Sequence, residues 1–116
     1  MINEGNGKFT LRALPVEAQF SPVFGIEIGD FNDDSNMDIL LGGNMYKVKP
    51  QVGRYDASYG TLLIGDGKNN FKAMAAKSSG IKLDGEVRDI VTIKNLNNSI
   101  LLISRNNDSV LTYEKK

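Results

Sequence analysis

Between Gly29 and Asp38 the chain reads Gly-Asp-Phe-Asn-Asp-Asp-Ser-Asn-Met-Asp, with oxygen-bearing side chains at alternate positions: Asp30, Asn32, Asp34 and Asn36, then Asp38 two residues on. In a tight loop alternate side chains turn toward one centre, so a single cation can gather several oxygens at about 2.3–2.6 Å. Four carboxylates, Asp30, Asp33, Asp34 and Asp38, fall within nine residues. In a bare turn they repel one another, and a divalent ion removes that repulsion. Residue 36 is expected to offer its backbone carbonyl, as the seventh position of an EF-hand loop does. The competing reading is a turn that binds nothing, because Asp and Asn favour turns through local hydrogen bonds.

What the chain lacks narrows the chemistry. It has no Cys, which removes disulfides, thiolate nucleophiles, zinc–sulfur sites and iron–sulfur clusters. It has no His, which removes the usual neutral-pH base and the commonest transition-metal ligand. Oxygen donors remain, and these suit hard ions such as calcium or magnesium. Fourteen basic residues balance fourteen acidic ones, so neither nucleic acid nor an anionic membrane surface is an expected partner. Apolar runs such as Ile39-Leu40-Leu41 are far short of the roughly 20 residues a membrane-spanning helix needs.

The elements that must position these residues read as strands. Short β-type runs cover Phe24 to Ile28, Asp38 to Leu41, Thr61 to Ile64, Val87 to Ile93, Ile100 to Ile103 and Val110 to Tyr113, each bounded by Gly, Asn, Asp or Ser. Ala73 to Lys77 is the best helical candidate. The runs also recur. Asn6-Gly7-Lys8-Phe9 is echoed by Lys68-Asn69-Asn70-Phe71, and Ile26 to Asp33 by Val91 to Asn98, an offset of 65 residues. Ile39 to Asn44 is answered by Leu101 to Asn106. Three matched blocks in one order indicate a repeat architecture. The second copy of the turn, Asn95 to Ser99, carries no carboxylate and is expected to be a plain hairpin.

Other residues invite weaker readings. Met45 to Tyr59 is longer than a hairpin needs, and Tyr46, Arg54, Tyr55 and Asp56 within it could form a rim for a sugar or peptide; the alternative is a structural insertion. Glu86, Arg88 and Asp89 could supply carboxylate chemistry, but nothing in their spacing fixes a catalytic pair, and a solvated charged face is expected. Phe9, Phe20, Phe24, Phe31 and Phe71 are expected in the core.

The loop overlaps the EF-hand pattern, but Leu41 stands where that motif needs Glu, and the flanks are strands. Strand, D-x-[DN]-x-D-G-x-x-D, strand instead resembles the FG-GAP/VCBS repeats of integrin α-subunit propellers and bacterial proteins. Phe24-Gly25 matches the Phe-Gly that opens that unit, and Gly65-Asp66-Gly67-Lys68 through Phe71 looks like its closing turn. Ser35 departs from the pattern, which prefers Gly there. The resemblance implies four-stranded β-propeller blades, and calcium held by the side chains of Asp30, Asn32, Asp34 and Asp38 and the carbonyl of Asn36.

The resulting expectation is one all-β unit over residues 1–116, a partial propeller of two antiparallel blade-like repeats. Repeat one spans about 3–65 with the calcium loop at 30–38, and repeat two about 66–113 with a degenerate loop. A small β-sandwich is the alternative fold. The expected function is a calcium-stabilised, non-enzymatic binding or adhesion module for a protein or carbohydrate ligand; a carbohydrate-active enzyme or its accessory domain is the alternative. The expected setting is secreted, periplasmic or at the cell surface. Two blades cannot close a ring, so either a homo-oligomer or the remainder of a longer propeller chain is expected to complete it.

Overall fold

A computed structural model of the chain describes residues 1–44, 59–74 and 76–115. Among them run the strands β1 (Ile2–Gly5), β2 (Lys8–Thr10), β3 (Val23–Gly29), β4 (Asp38–Gly43), β5 (Thr61–Gly65), β6 (Phe71–Met74), β7 (Val87–Lys94), β8 (Ser99–Arg105) and β9 (Leu111–Lys115). A single helical turn, α1, occupies Ala76–Ser79, and a 3-10 turn occupies Val16–Gln19. The protein is all-β. Its strands form three open antiparallel sheets of two, four and three strands, each linking neighbours in chain order: β1-β2, β3-β4-β5-β6 and β7-β8-β9.

Turn chemistry accounts for the small elements that the strand runs did not reveal. Between β1 and β2, Asn6 and Gly7 both have positive φ, 51° and 75°, the backbone a two-residue hairpin turn requires. The helical expectation for Ala73 to Lys77 is corrected: Ala73 and Met74 end β6, where they pair with Leu63 and Leu62, and only Ala76 onward is helical. The aromatic core is corrected too. Phe9, Phe20 and Phe24 are exposed, whereas Phe31 packs against the core from its edge. The interior is aliphatic: Leu40 and Leu62 of the four-stranded sheet meet Ile90, Leu101 and Ile103 of the three-stranded sheet around Leu83.

Close approach of the two larger sheets depends on glycine. A Cβ on Gly25 would lie 2.8 Å from Ile90 Cγ1, and one on Gly42 would lie 2.8 Å from Val87 Cγ1. Only residues without side chains let β3 and β4 come this near to β7. At the other end of β3, Glu27 Oε1 accepts the Thr92 N–H at 3.1 Å.

The two hairpins share one pairing plan. In β3–β4, Val23 pairs with Gly43 and Gly25 with Gly42, with a bulge between; in β7–β8, Val87 pairs with Arg105 and Asp89 with Ser104, again with a bulge between. Beyond the bulges, the Asn44 N–H donates to the Pro22 carbonyl and the Asn106 N–H to the Glu86 carbonyl. The bulges therefore place Ile26 opposite Ile90 in the repeat, one residue from the Ile26–Val91 match of the sequence; Ile39 with Leu101 agrees in both. Side chains of directly paired residues share a face, and alternate residues take opposite faces. On this correspondence Ile90, Leu101 and Ile103, which point at the first sheet, match Ile26, Ile39 and Leu41, which point away from the second. The sheets stack in the same sense, front to back.

Candidate metal site

The acidic run forms the connection between β3 and β4, and Gly29 pairs with Asp38 at its base. Asp38 is fully buried. Its Oδ2 accepts the Phe31 N–H at 2.9 Å and its Oδ1 accepts the Gly65 N–H at 2.9 Å. One carboxylate thus ties the loop to the end of β5, and its burial is tolerated because both oxygens are bonded.

Above this floor the alternate residues bond to one another and to the loop backbone. Asp30 Oδ1 and Asn32 Oδ1 both lie 3.2 Å from the Asp34 nitrogen and accept its N–H. Asp30 Oδ2 accepts the Ser35 N–H at 2.9 Å, and Asp34 Oδ1 accepts the Asn36 N–H at 2.7 Å. The Asn32 amide donates to Asp34 Oδ2 at 2.9 Å. That donation, then the Asn36 N–H, holds the Asp34 carboxyl below the usual aspartate range, against a smaller opposing effect of burial. Asp33 and Ser35, between the alternating residues, take left-handed backbone with φ of 63° and 67°. Such conformations cost a non-glycine residue about 1 kcal/mol or more each, so Ser35 is tolerated here at a cost that Gly would avoid.

The structure brings Asp30, Asn32 and Asp34 together at the loop rim and sets Asp38 beneath them. The Asn36 side chain lies over the β5–β6 turn, where a Cβ on Gly67 would come within 2.5 Å of its Oδ1. Among the described residues no three carboxylates by themselves converge as a metal site. A cation here would therefore need the Asn32 amide oxygen and the Asn36 carbonyl as well. The candidate donors are all oxygen, the chemistry a hard divalent ion takes, and two of them, Asp30 Oδ1 and Asn32 Oδ1, meet on one N–H.

The remaining candidates separate from this loop. Tyr46, Arg54, Tyr55 and Asp56 lie outside the described residues. The solvated-face expectation is corrected for Glu86, which is buried and accepts the Asn106 amide at 2.6 Å and the Arg88 guanidinium at 3.4 Å. The turn at 95–98 closes on itself, with the Asn95 N–H donating to the Asn98 carbonyl at 2.8 Å. The motif reading passed over the self-sufficiency of Asp66. Its carboxylate accepts the Lys68 N–H, the Asn70 N–H and the Asn70 amide, and these bonds, the Asn70 amide first, hold it below the usual range. Asn at the fourth position after Asp66 was the available signal.

No helix among the described residues is long and apolar enough to cross a membrane. No protein-family model, curated protein or solved structure matches the chain.

Proposed function

We propose that this chain is a calcium-stabilised, propeller-type repeat module of the FG-GAP/VCBS kind, which binds a protein or carbohydrate ligand outside the cytoplasm and performs no catalysis. The observation that carries the reading is the meeting of Asp30 Oδ1 and Asn32 Oδ1 on one N–H at the β3–β4 turn, the hairpin position where the family holds its ion. Same-sense stacking of the two larger sheets supports the blade reading over a sandwich of opposed faces.

In this proposal Asp30, Asn32, Asp34 and Asp38 hold the ion by side chain and Asn36 by its carbonyl. The ion supplies positive charge among carboxylates that otherwise repel, and so fixes the turn. The chain's own groups prepare that arrangement. Asp38 anchors the loop to β5, and the Asn32 and Asn36 donors keep Asp34 ionised.

Melting the protein in calcium and then in a chelator tests the reading. Extracellular modules bind calcium at roughly 0.1–1 mM, so about 1 mM calcium should add about 0.4–1.4 kcal/mol, reversed by the chelator. Calorimetry should count one ion per chain. Identical melting curves in both buffers would refute the assignment.

A further inference from the structure

Both outward faces of the stacked sheets carry exposed apolar residues. On the four-stranded sheet Ile26 is 58% exposed and Ile28 62%; on the three-stranded sheet Val91 is 46% exposed and Ile93 50%. Residues 12–17 already lie against the β5–β6 half of the first face. Arg12 donates to the Asn69 carbonyl at 3.2 Å, and Thr61 Oγ1 donates to the Glu17 carbonyl at 3.5 Å. The β3 half, with Ile26 and Ile28, remains open.

The matched bulges say what these faces are. Ile26 corresponds to Ile90, which is buried at 2% against the first sheet. By the same offset of 64 residues (90 minus 26), Val91 corresponds to Glu27, and Glu27 belongs to the face that receives the second sheet. Each outward face therefore repeats one side of the interface already present inside the chain. The outer face of the last sheet is the counterpart of the surface that seats on Ile90, and Ile26 is the counterpart of Ile90. The two open faces complement each other, not themselves.

We propose that a second copy of this chain docks head to tail, its Val91–Ile93 face seated on the Ile26–Ile28 face of the first. The contact is heterologous, so each dimer again offers one free face of each kind and assembly continues until a ring closes or a short stack forms. The seat is wider than the internal one, because Asp89 and Ser104 stand where Gly25 and Gly42 permit close approach. The proposal uses the sheet stacking and not the calcium loop, so it stands or falls separately from the metal.

Sedimentation velocity on the 116-residue chain, across a concentration series and in chelator, provides the test. Mass should rise with concentration. Ile28→Asp and Ile93→Asp each place a charge on one exposed face, and circular dichroism should remain that of the parent. Each variant alone should weaken self-association at least about tenfold, since a charge replaces a buried isoleucine. Mixed together, the two should form a dimer that grows no further, because each retains the face the other has lost. A monomer at all concentrations would overturn the proposal. So would a mixture that fails to pair, since that outcome indicates a contact of like faces or a partner of another kind.

Discussion

Asp38 offers the sharpest test of how the loop is built. Its two oxygens accept the N–H groups of Phe31 and Gly65, each at 2.9 Å, with no exposure to solvent. Hydrogen bonds to a charged group contribute about 1.5–3 kcal/mol each, and a buried donor left without a partner costs about 1–3 kcal/mol. Asp38→Ala removes both bonds and strands both donors, so the loss should be about 3–5 kcal/mol. Asp38→Asn keeps one acceptor but turns an NH2 toward the other N–H, for a loss of about 2 kcal/mol. Urea unfolding in chelator measures these values without any contribution from a metal. The midpoint should fall in the order parent, Asn, Ala with little change in slope. If Asp38→Ala stays within about 0.5 kcal/mol of the parent, the range of ordinary surface changes, the anchoring role is wrong.

The geometry sets further outcomes. Asp30→Ala and Asp34→Ala should abolish the thermal shift produced by calcium, whereas Asp33→Ala, outside the alternation, should preserve it. Gly42→Ala should cost about 1–3 kcal/mol in urea unfolding, because its Cβ would meet Val87 Cγ1 at 2.8 Å and Ile90 Cδ1 at 2.9 Å in a filled interior. Leu40→Ala, at a position 1% exposed, should cost about 2–5 kcal/mol. Asp34 has a depressed folded pKa, so its share of loop stability is complete above the ordinary aspartate value and is lost as pH falls through the lower folded value. Asn32→Ala should raise that pKa toward the ordinary range, as read by carboxyl NMR, and an unmoved value would place the cause elsewhere.

Six strands were legible because each carries a run of Val, Ile, Leu or Phe between turn residues, and the observed strands extend most of those runs by a residue or two. Three were not. β1 and β2 read Ile-Asn-Glu-Gly and Lys-Phe-Thr, too polar and short for a periodicity, and only the Asn6-Gly7 turn betrays them. β6 carries Ala73 and Met74, good helix formers that cross-strand pairing with β5 overrides. The repeat was visible, but its alignment slipped by one residue in β3 and β7. Matching apolar letters cannot locate a bulge, and a slip of one exchanges the faces of a strand. The loop's alternate oxygens were readable directly, since spacing alone generates them. The depth of Asp38 was not, because its burial depends on Gly65, which is 27 residues away.

The carboxylate of Asp38 also divides the loop into two regimes of motion. The Gly65 amide is buried on it and the Phe31 amide half-buried, so their exchange with solvent deuterium should be slow and need the loop to part from the end of β5. The Asp34, Ser35 and Asn36 amides rest on exposed carboxylates and can exchange by rim fluctuations alone. A slow floor beneath a fast rim leaves the loop's exposed residues free to rearrange while the strands below keep their register.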